Sequence, residues 1–594
     1  MPATSVKIGG ASGYWGDAAF ATPQLLKAGA VDYLVYDYLA EITMSILARA
    51  RAKDPDQGYA VDFVTAVLRP NIKQIAAQGI KVVANAGGVN PHACAAAARK
   101  VIAEAGVDLK VGVVTGDDLI GQKDAFSQGA VTEMFSGEEF PDPAKIASMN
   151  AYLGGFPIAE ALSRGADIVI TGRCVDSAVT LGVCIHEFGW TVDDWDELAG
   201  GSLAGHILEC GPQTTGGNFT DWRDVGEPID SIGYPIAEVT RDGAFTCTKP
   251  EGTGGLVSVG TVAEQMVYEI GDPQAYILPD VTCDFSTATI TQEGANKVRV
   301  AGATGHPASN TYKVCSTYGD GFRGGHMVSF YGFEAEEKAR VFADAIFVRA
   351  RNMLRYMNLG DFTETSVEIL GAESQFGAAR QIEDPREVVV KFAAKHPDAK
   401  GIGVLLKEMN GMGLATPPGL SIFAGARPKP SPVLRLFSFL YPKDQVPIIV
   451  DVEGEAQTHS AASGQASSPA IERPAAPDAV SPQDGWREVP LIELAWGRSG
   501  DKGNKANIGI IARKPEYLPY IWAALTEESV ADYFAHFLEG DVQRFLLPGT
   551  DAINFLLDEV LGGGGIASLR NDAQGKGYAQ LLLSHPIPIP ADLM

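Results

Sequence analysis

The sequence predicts an α/β protein: a mostly parallel, helix-covered sheet in the N-terminal part, an α+β middle region and a small C-terminal α+β domain. Two patterns predict it. Over the first ~210 residues short apolar runs alternate with helical stretches, the rhythm of βαβ units. After a stretch dense in Ala, Ser and Pro, an alternating strand, a Gly-rich segment, a second strand and two helical stretches fill the last ~105 residues, a viable domain size.

Strands are expected over 6–8, 33–36, 81–84, 110–114 and 167–171. Each runs into small or polar residues: GGASG, DYLAE, NAGGVN, TGDD and TGRCVDSA. Ligands of such sheets bind beyond the carboxyl ends of the strands, so these segments form the default site. Helices are expected over 72–79 and 91–106, both ending at a Gly stop. The segment 17–27 contains Pro23, which argues against a crossover helix there. Residues 212–330 are rich in Gly, Thr and Asp and read as loops with β-hairpins. The stretch 334–356 is amphipathic and helical. TSVEIL, EVVVKFAAK, GVLLKEMN and PIIVDVEG read as strands. The expected organisation is an α/β core over 1–360, an α+β subdomain over 361–454 packed on it, a disordered linker over 455–485 and a domain over 486–594. The linker has no aromatic, Leu or Met and cannot bury enough surface to order itself. The last domain reads as strand VPLIELAWG, loop RSGDKGNKAN, strand IGIIAR, helices over 516–525 and 529–537, and a terminal strand.

Composition narrows the function classes. With 73 acidic against 47 basic residues the formal charge is −26, a poor match to nucleic acid. No apolar run approaches the ~20 residues of a membrane span, and the N-terminus lacks the basic and apolar regions of a signal peptide. The seven Cys form no C-x-x-C pair, so neither a disulfide framework nor a zinc knuckle is expected. A cytoplasmic protein follows, homo-oligomeric by base rate.

Several segments carry chemistry. Gly10, Gly13 and Gly16, with Ser12 between them, have the spacing of a phosphate-cradling loop, and Asp37 stands where a ribose-binding acid would follow. No Tyr has Lys four residues later, which counts against a short-chain NAD(P) dehydrogenase; a tight turn after a buried strand explains the glycines equally. Asn85, Asn90, His92, Asp117 and Asp118 offer oxygen and imidazole ligands to a divalent metal, with His92 a general base; helix-start chemistry also accounts for them. Arg173 can clamp an anion, Asp176 can hold it or act as base, and Cys174 is a nucleophile only if its pKa is lowered. Their bland alternative is an ion pair bracing the turn. Glu209, Cys210, Thr214, Thr215, Gly216, Gly217 and Asn218 suit oxyanion positioning, or a flexible loop. Arg498, Lys502 and Lys505 in a Gly-rich hairpin form an anion nest, or a solvated loop.

Together GGASGYWGDA, DYLVYDYLAE, NAGGVNPHACA, TGRCVDSAVTLG and CGPQTTGGNF resemble the acyclic terpene utilisation (AtuA-type) family, from about residue 5 to about residue 450. ELAWGRSGDKGNKANIGIIAR and LRNDAQGKGYAQLLLSHPI resemble its small AtuA-like domain, assigned a ferredoxin-like fold and a separate polypeptide in some members. The resemblance implies a role in citronellol or geraniol degradation and related branched-chain routes. These run through CoA thioesters by dehydrogenation, biotin-dependent carboxylation, hydration and carbon–carbon cleavage releasing acetate. It carries over no catalytic residue. Two functions follow from it: a lyase or hydratase acting on a branched acyl-CoA, or a non-catalytic accessory or scaffolding subunit of the CoA-carboxylase pathway. An NAD(P)-linked dehydrogenase is the third reading. The expected catalytic residues are Arg173, Asp176, His92 and Asp117. The expected substrate- or anion-binding residues are Gly10, Ser12, Gly13, Asn85, Thr215, Gly216, Asn218, Arg498 and Lys502.

Overall fold

Tyr33–Tyr36 and Ile168–Thr171 are buried at every position, as strands covered on both faces must be. The computed structural model describes residues 4–594 except Ala30, Glu227, Ala424, Ala426, Arg427, 467–469 and Ile566. In chain order, β1 is Ser5–Gly10, β2 Tyr33–Tyr36, β3 Lys81–Ala84, β4 Val111–Thr115, β5 Ile146–Ala151 and β6 Ile168–Thr171. An eleven-stranded sheet has β1-β2-β3-β6-β4 as its parallel centre. Helices Ala18–Ala28, Glu41–Lys53, Arg69–Gln78 and Pro91–Ala105 cover one face; Phe156–Ser163, Ala178–Phe188 and Trp195–Glu209 cover the other. From β3 the chain passes over the position of β6 to reach β4, then returns to β6 across the opposite face. Such a reversal opens a crevice at the carboxyl ends of the strands.

The sheet is mixed rather than mostly parallel. Ile236–Thr240 runs antiparallel to β1 and is followed outward by Phe245–Thr248, Lys297–Ala301 and Thr289–Gly294. On the other side Ile449–Val452 runs antiparallel to β4, and Glu455–Thr458 pairs with it. Sheet pairing therefore crosses the expected divisions near 360 and 455. Among the described residues, no helix is long and apolar enough to cross a membrane.

Other expectations failed for local reasons. Ala18–Ala28 is helical despite Pro23: its buried Ala21, Thr22, Leu25 and Leu26 repeat at helical spacing, and packing outweighs the missing N–H. Ala399–Met412, which contains GVLLKEMN, is helical because Ile402, Leu405, Leu406, Met409 and Met412 bury one stripe. Thr311–Tyr331, nearly all of it in the stretch read as loops with β-hairpins, is one long strand with a register shift between Gly319 and Phe322. It pairs with β5, Ser431–Pro442 and Glu387–His396. A Cβ at Gly324 would lie 2.5 Å from Ile402 Cγ2, so the glycine lets the helix rest on the strand. Helix Ala335–Tyr356 covers the same sheet.

The C-terminal domain has a four-stranded antiparallel sheet in the order Ala495–Lys502, Lys505–Ala512, Ala552–Leu557, Val542–Leu547. The segment RSGDKGNKAN is not a long loop. It is two strand arms joined through Gly503 and Asn504, with Gly503 at φ 67°. Within 455–485, Gln465 bridges Ser309, and Arg473 pairs with Asp272 at 2.6 Å. Residues 467–469 of the expected linker lie outside the described residues. Residues 461–465 wall a cavity of about 220 Å³ with Asp280, Lys443 and His459.

Candidate functional site

The strand ends are tied together by side chains that the chain order keeps apart. Asn85, fully buried after β3, accepts the Tyr38 N–H at 2.7 Å and donates to Asp37 Oδ1 at 2.5 Å. Ser12, after β1, donates to the Asp37 carbonyl at 2.9 Å. The Asp37 carboxylate is thus aimed over the sheet from the end of β2. After β4, Asp117 accepts the Arg173 N–H and the Asn150 side-chain amide, both at 2.8 Å on one oxygen. This fixes the turn after β6. The Arg173 guanidinium, 4% exposed, donates to the Leu39 carbonyl at 2.7 Å and to Asp176 at 2.5 Å. It lies 4.2 Å from the Tyr152 ring centroid, and the Tyr152 hydroxyl donates to Glu41.

A second bank faces the first. The buried His206, near the end of helix Trp195–Glu209, donates Nε2–H to the Gln265 carbonyl at 3.0 Å, since a carbonyl can only accept. Its Nδ1 lies 2.9 Å from Glu209 Oε1. From the C-terminal hairpin, Lys502 places its ammonium 5.4 Å from the Tyr276 ring centroid. Lys576 donates to Glu269 at 2.6 Å, to Asp501 at 3.0 Å and to the Tyr268 hydroxyl. Asp176 is two-fifths exposed in its side chain, and Lys502 is exposed at the hairpin tip. The two nonetheless belong to one dense set of interacting charges, the signature of side chains lining an open crevice.

The electrostatics separate the carboxylates. Burial, with Asp176 and Glu209 nearby, holds Asp37 well above the usual carboxylate range against the opposing pull of Arg173 and Asn85. Burial also raises Glu209, opposed by His206. Burial works against ionising Glu41 too, but Arg173 and Lys313 prevail and bring it down to about 2. Asp117 is pushed up to about 7, chiefly by burial. Asp501 is raised to about 6 by burial and by Glu269, against Lys576. The Lys502 ammonium is held above the usual lysine range by Tyr276, Glu269, Glu209 and Asp176, although desolvation opposes this.

The structure brings together Asn85, Asp117, Arg173, Asp176 and Lys502, with Ser12 behind them. It disperses the rest. A Cβ at Gly10 would lie 2.8 Å from the Leu208 carbonyl oxygen, and one at Gly13 2.8 Å from the Cys210 carbonyl carbon. These glycines serve close packing on the site's own backbone, which fills the space of a pyrophosphate cradle. His92 is exposed on the first helical turn after Asn90, and the Asn90 amide donates to the Pro55 and Gln57 carbonyls. Asp118 pairs with Arg51 at 3.1 Å. Among the described residues, no three His, Cys, Asp or Glu side chains are grouped to hold a metal ion. Thr215 donates to the Gly233 and Pro212 carbonyls, Gly216 takes φ 110°, and exposed Asn218 contributes its carbonyl to Arg498 at 3.1 Å. These are loop and docking contacts. Burial pushes the Cys174 thiol up to about 12 and Cys210 well above the usual range, so neither is an activated nucleophile.

Sequence reasoning gave no role to Glu41, Tyr152, His206, Tyr276, Glu269 and Lys576. Lys576 left a trace within the Gly-rich LRNDAQGKGYAQ, and Glu41 closes the strand-end segment DYLAE. The others stand on elements whose approach is set by folding.

The family model described as acyclic terpene utilisation family protein AtuA matches residues 6–452. That described as AtuA ferredoxin-like domain matches residues 489–588. No curated protein and no solved structure matches the chain.

Proposed function

From the premise that the chain belongs to the acyclic terpene utilisation family, we propose that it is an enzyme acting on a branched acyl thioester of coenzyme A, as a lyase or hydratase. One observation carries the reading. Asp37 stands at the end of β2, bonded to Asn85 beside the crevice, with its proton affinity raised by burial and by Asp176 and Glu209, and with Arg173 beside them. Such a carboxyl holds a proton more tightly than a free one, the direction in which general acid–base groups are tuned. Cleavage of a 3-hydroxyacyl thioester needs a base for the hydroxyl proton; hydration of an enoyl thioester needs a base for water. Asp37 supplies it in either case, while Arg173 holds Asp176 in place and limits the charge around it.

The steric filling of Gly10 and Gly13 speaks against the dehydrogenase reading. The adaptor reading gains no support from the C-terminal sheet, one face of which is taken up by the chain's own residues 267–274.

The test is mass spectrometry of branched enoyl, 3-hydroxyacyl and 3-hydroxy-dicarboxylyl CoA thioesters incubated with the wild type and Asp37→Asn. Formation of a shorter thioester together with a ketone or keto acid identifies a lyase; gain or loss of water identifies a hydratase. Asp37→Asn is expected to slow either about 10²-fold or more. The reading fails if the wild type leaves the whole panel unchanged, or if Asp37→Asn turns over at the wild-type rate.

A further inference from the structure

We propose that Lys502 binds the thioester carbonyl oxygen and takes up the charge that develops on it, so that the C-terminal domain supplies one half of the active site. The inference rests on the thioester reading above and adds the group opposite Asp37.

Strand geometry delivers the residue. Along Ala495–Lys502 alternate side chains point to one face, and that face meets the core. Trp496 Nε1 donates to Asp221 at 2.7 Å, and Arg498 donates to the Asn218 carbonyl. A Cβ at Gly500 would lie 2.5 Å from Glu269 Cγ, so the two surfaces touch there. Lys502 is next in the row. It overshoots the last contact and reaches the crevice beside Tyr276.

Its neighbours are all engaged. Lys576 pairs with Glu269 and Asp501, Lys505 with Asp558 at 2.5 Å, and Arg513 with both oxygens of Asp221 at 2.5 and 2.7 Å. Among the described residues, the Lys502 side chain alone of these four makes no ion pair and no hydrogen bond. Yet Glu209, Glu269 and Asp176 all act on its charge. Three N–H donors therefore point into a crevice whose carboxylates stand beyond ion-pair reach. The tip that carries them is fixed. Asn504 accepts the Gly563 N–H at 2.8 Å on its side chain and the Val560 N–H at 3.1 Å on its carbonyl. Lys576 links the hairpin's Asp501 to Glu269 of the core.

The chemistry has a place for such a group. In cleavage, the 3-hydroxyl proton passes to the Asp37 carboxylate, the freed O–H pair closes a carbonyl at C3, and the C2–C3 bond breaks to release that carbonyl fragment. Its electron pair forms the C1–C2 double bond, and the carbonyl pair moves onto oxygen, giving an enolate. C2 then takes the proton back from Asp37. In hydration, the water oxygen adds to C3 as its proton passes to Asp37. The C2–C3 π pair moves through to the same oxygen, and C2 is again protonated. Both routes place negative charge on one oxygen, across the crevice from the base. A preorganised ammonium there is worth about 10²–10³ in rate.

The probe is acetoacetyl-CoA, whose enolate absorbs in the near ultraviolet. The full chain is titrated into it as wild type, Lys502→Ala and Lys502→Arg, with thermal unfolding as the control for folding. The wild type is expected to raise the enolate fraction. Lys502→Ala should lose this about 10²-fold with an unchanged unfolding midpoint, and Lys502→Arg should retain part of it. A wild type that leaves the spectrum unchanged overturns the proposal, as does a Lys502→Ala variant that shifts it equally. The measurement needs no turnover. Enolate stabilisation without conversion of any branched thioester would defeat the lyase or hydratase reading and leave Lys502 in its role.

Discussion

Asn507→Ala tests whether the two domains form the site as one body. Asn507 is fully buried in strand Lys505–Ala512 and makes three bonds across or beside the interface. Its Nδ2 donates to the Val267 carbonyl at 2.6 Å and to Asn554 Oδ1 at 2.9 Å, while its Oδ1 accepts the Glu269 N–H at 2.8 Å. Glu269 takes a left-handed backbone at φ 56°, costly for a residue with a Cβ and held here by that bond. Alanine removes all three bonds and leaves a buried N–H and two oxygens unpaired. At about 1 kcal/mol per bond the loss is about 3 kcal/mol, more if no water enters. Glu269 would then release Lys576, and with it the hairpin tip. Two measurements follow: urea unfolding read by tryptophan fluorescence, and hydrogen exchange of a peptide spanning 267–271. The expectation is a loss of about 3 kcal/mol and markedly faster exchange at the Glu269 amide. A change below about 0.5 kcal/mol with unchanged exchange would refute the argument that this network couples the domains.

Arg173→Ala is expected to destabilise the fold by about 1–3 kcal/mol, because Glu41 and the part-exposed Asp176 lose a counter-ion and the Leu39 carbonyl loses a donor. Denaturant unfolding checks this, and Arg173→Lys should cost less; unchanged stability of the alanine variant would show that the cation serves catalysis alone. Asp117 has a folded pKa of about 7 against an ordinary 3.8. Between these values the folded state holds a proton that the unfolded state has released, so Asp117 lowers stability as pH rises toward about 7 and no further above it. Asp117→Asn keeps an oxygen for Arg173 N–H and Asn150, so its stability relative to the wild type should improve from pH 5 to pH 8. Parallel pH profiles of the two unfolding midpoints would contradict the burial argument.

How much was legible depended on the range of the interactions. Strand positions 33–36 and 81–84, and the helix stop at Gly106, are local matters of burial and turn chemistry, and the structure has them where the residues put them. Helix Ala399–Met412 was misread because VLL within GVLLKEMN fits a strand equally well; its period shows only over the full stretch. Thr311–Tyr331 was hidden by glycines that are there for Ile402 and for Ala393, partners about seventy to eighty residues away. In the site, Arg173, Asp176 and Asn85 were readable because a parallel strand always presents its carboxyl end to the crevice. His206, Tyr276 and Glu269 were not, since nothing near them in the chain states what they face.

The sequence by itself determined the family, the run of βαβ units and the polar strand ends, because hydrophobic period, glycine stops and motif order are written along the chain. Tertiary structure alone decided that Gly10 and Gly13 pack against Leu208 and Cys210 instead of a nucleotide. It decided too that Lys502 faces Asp176, Glu209 and Glu269 across a crevice. Those outcomes depend on distances between elements hundreds of residues apart, and such distances are set when side chains fill the space between sheets and helices.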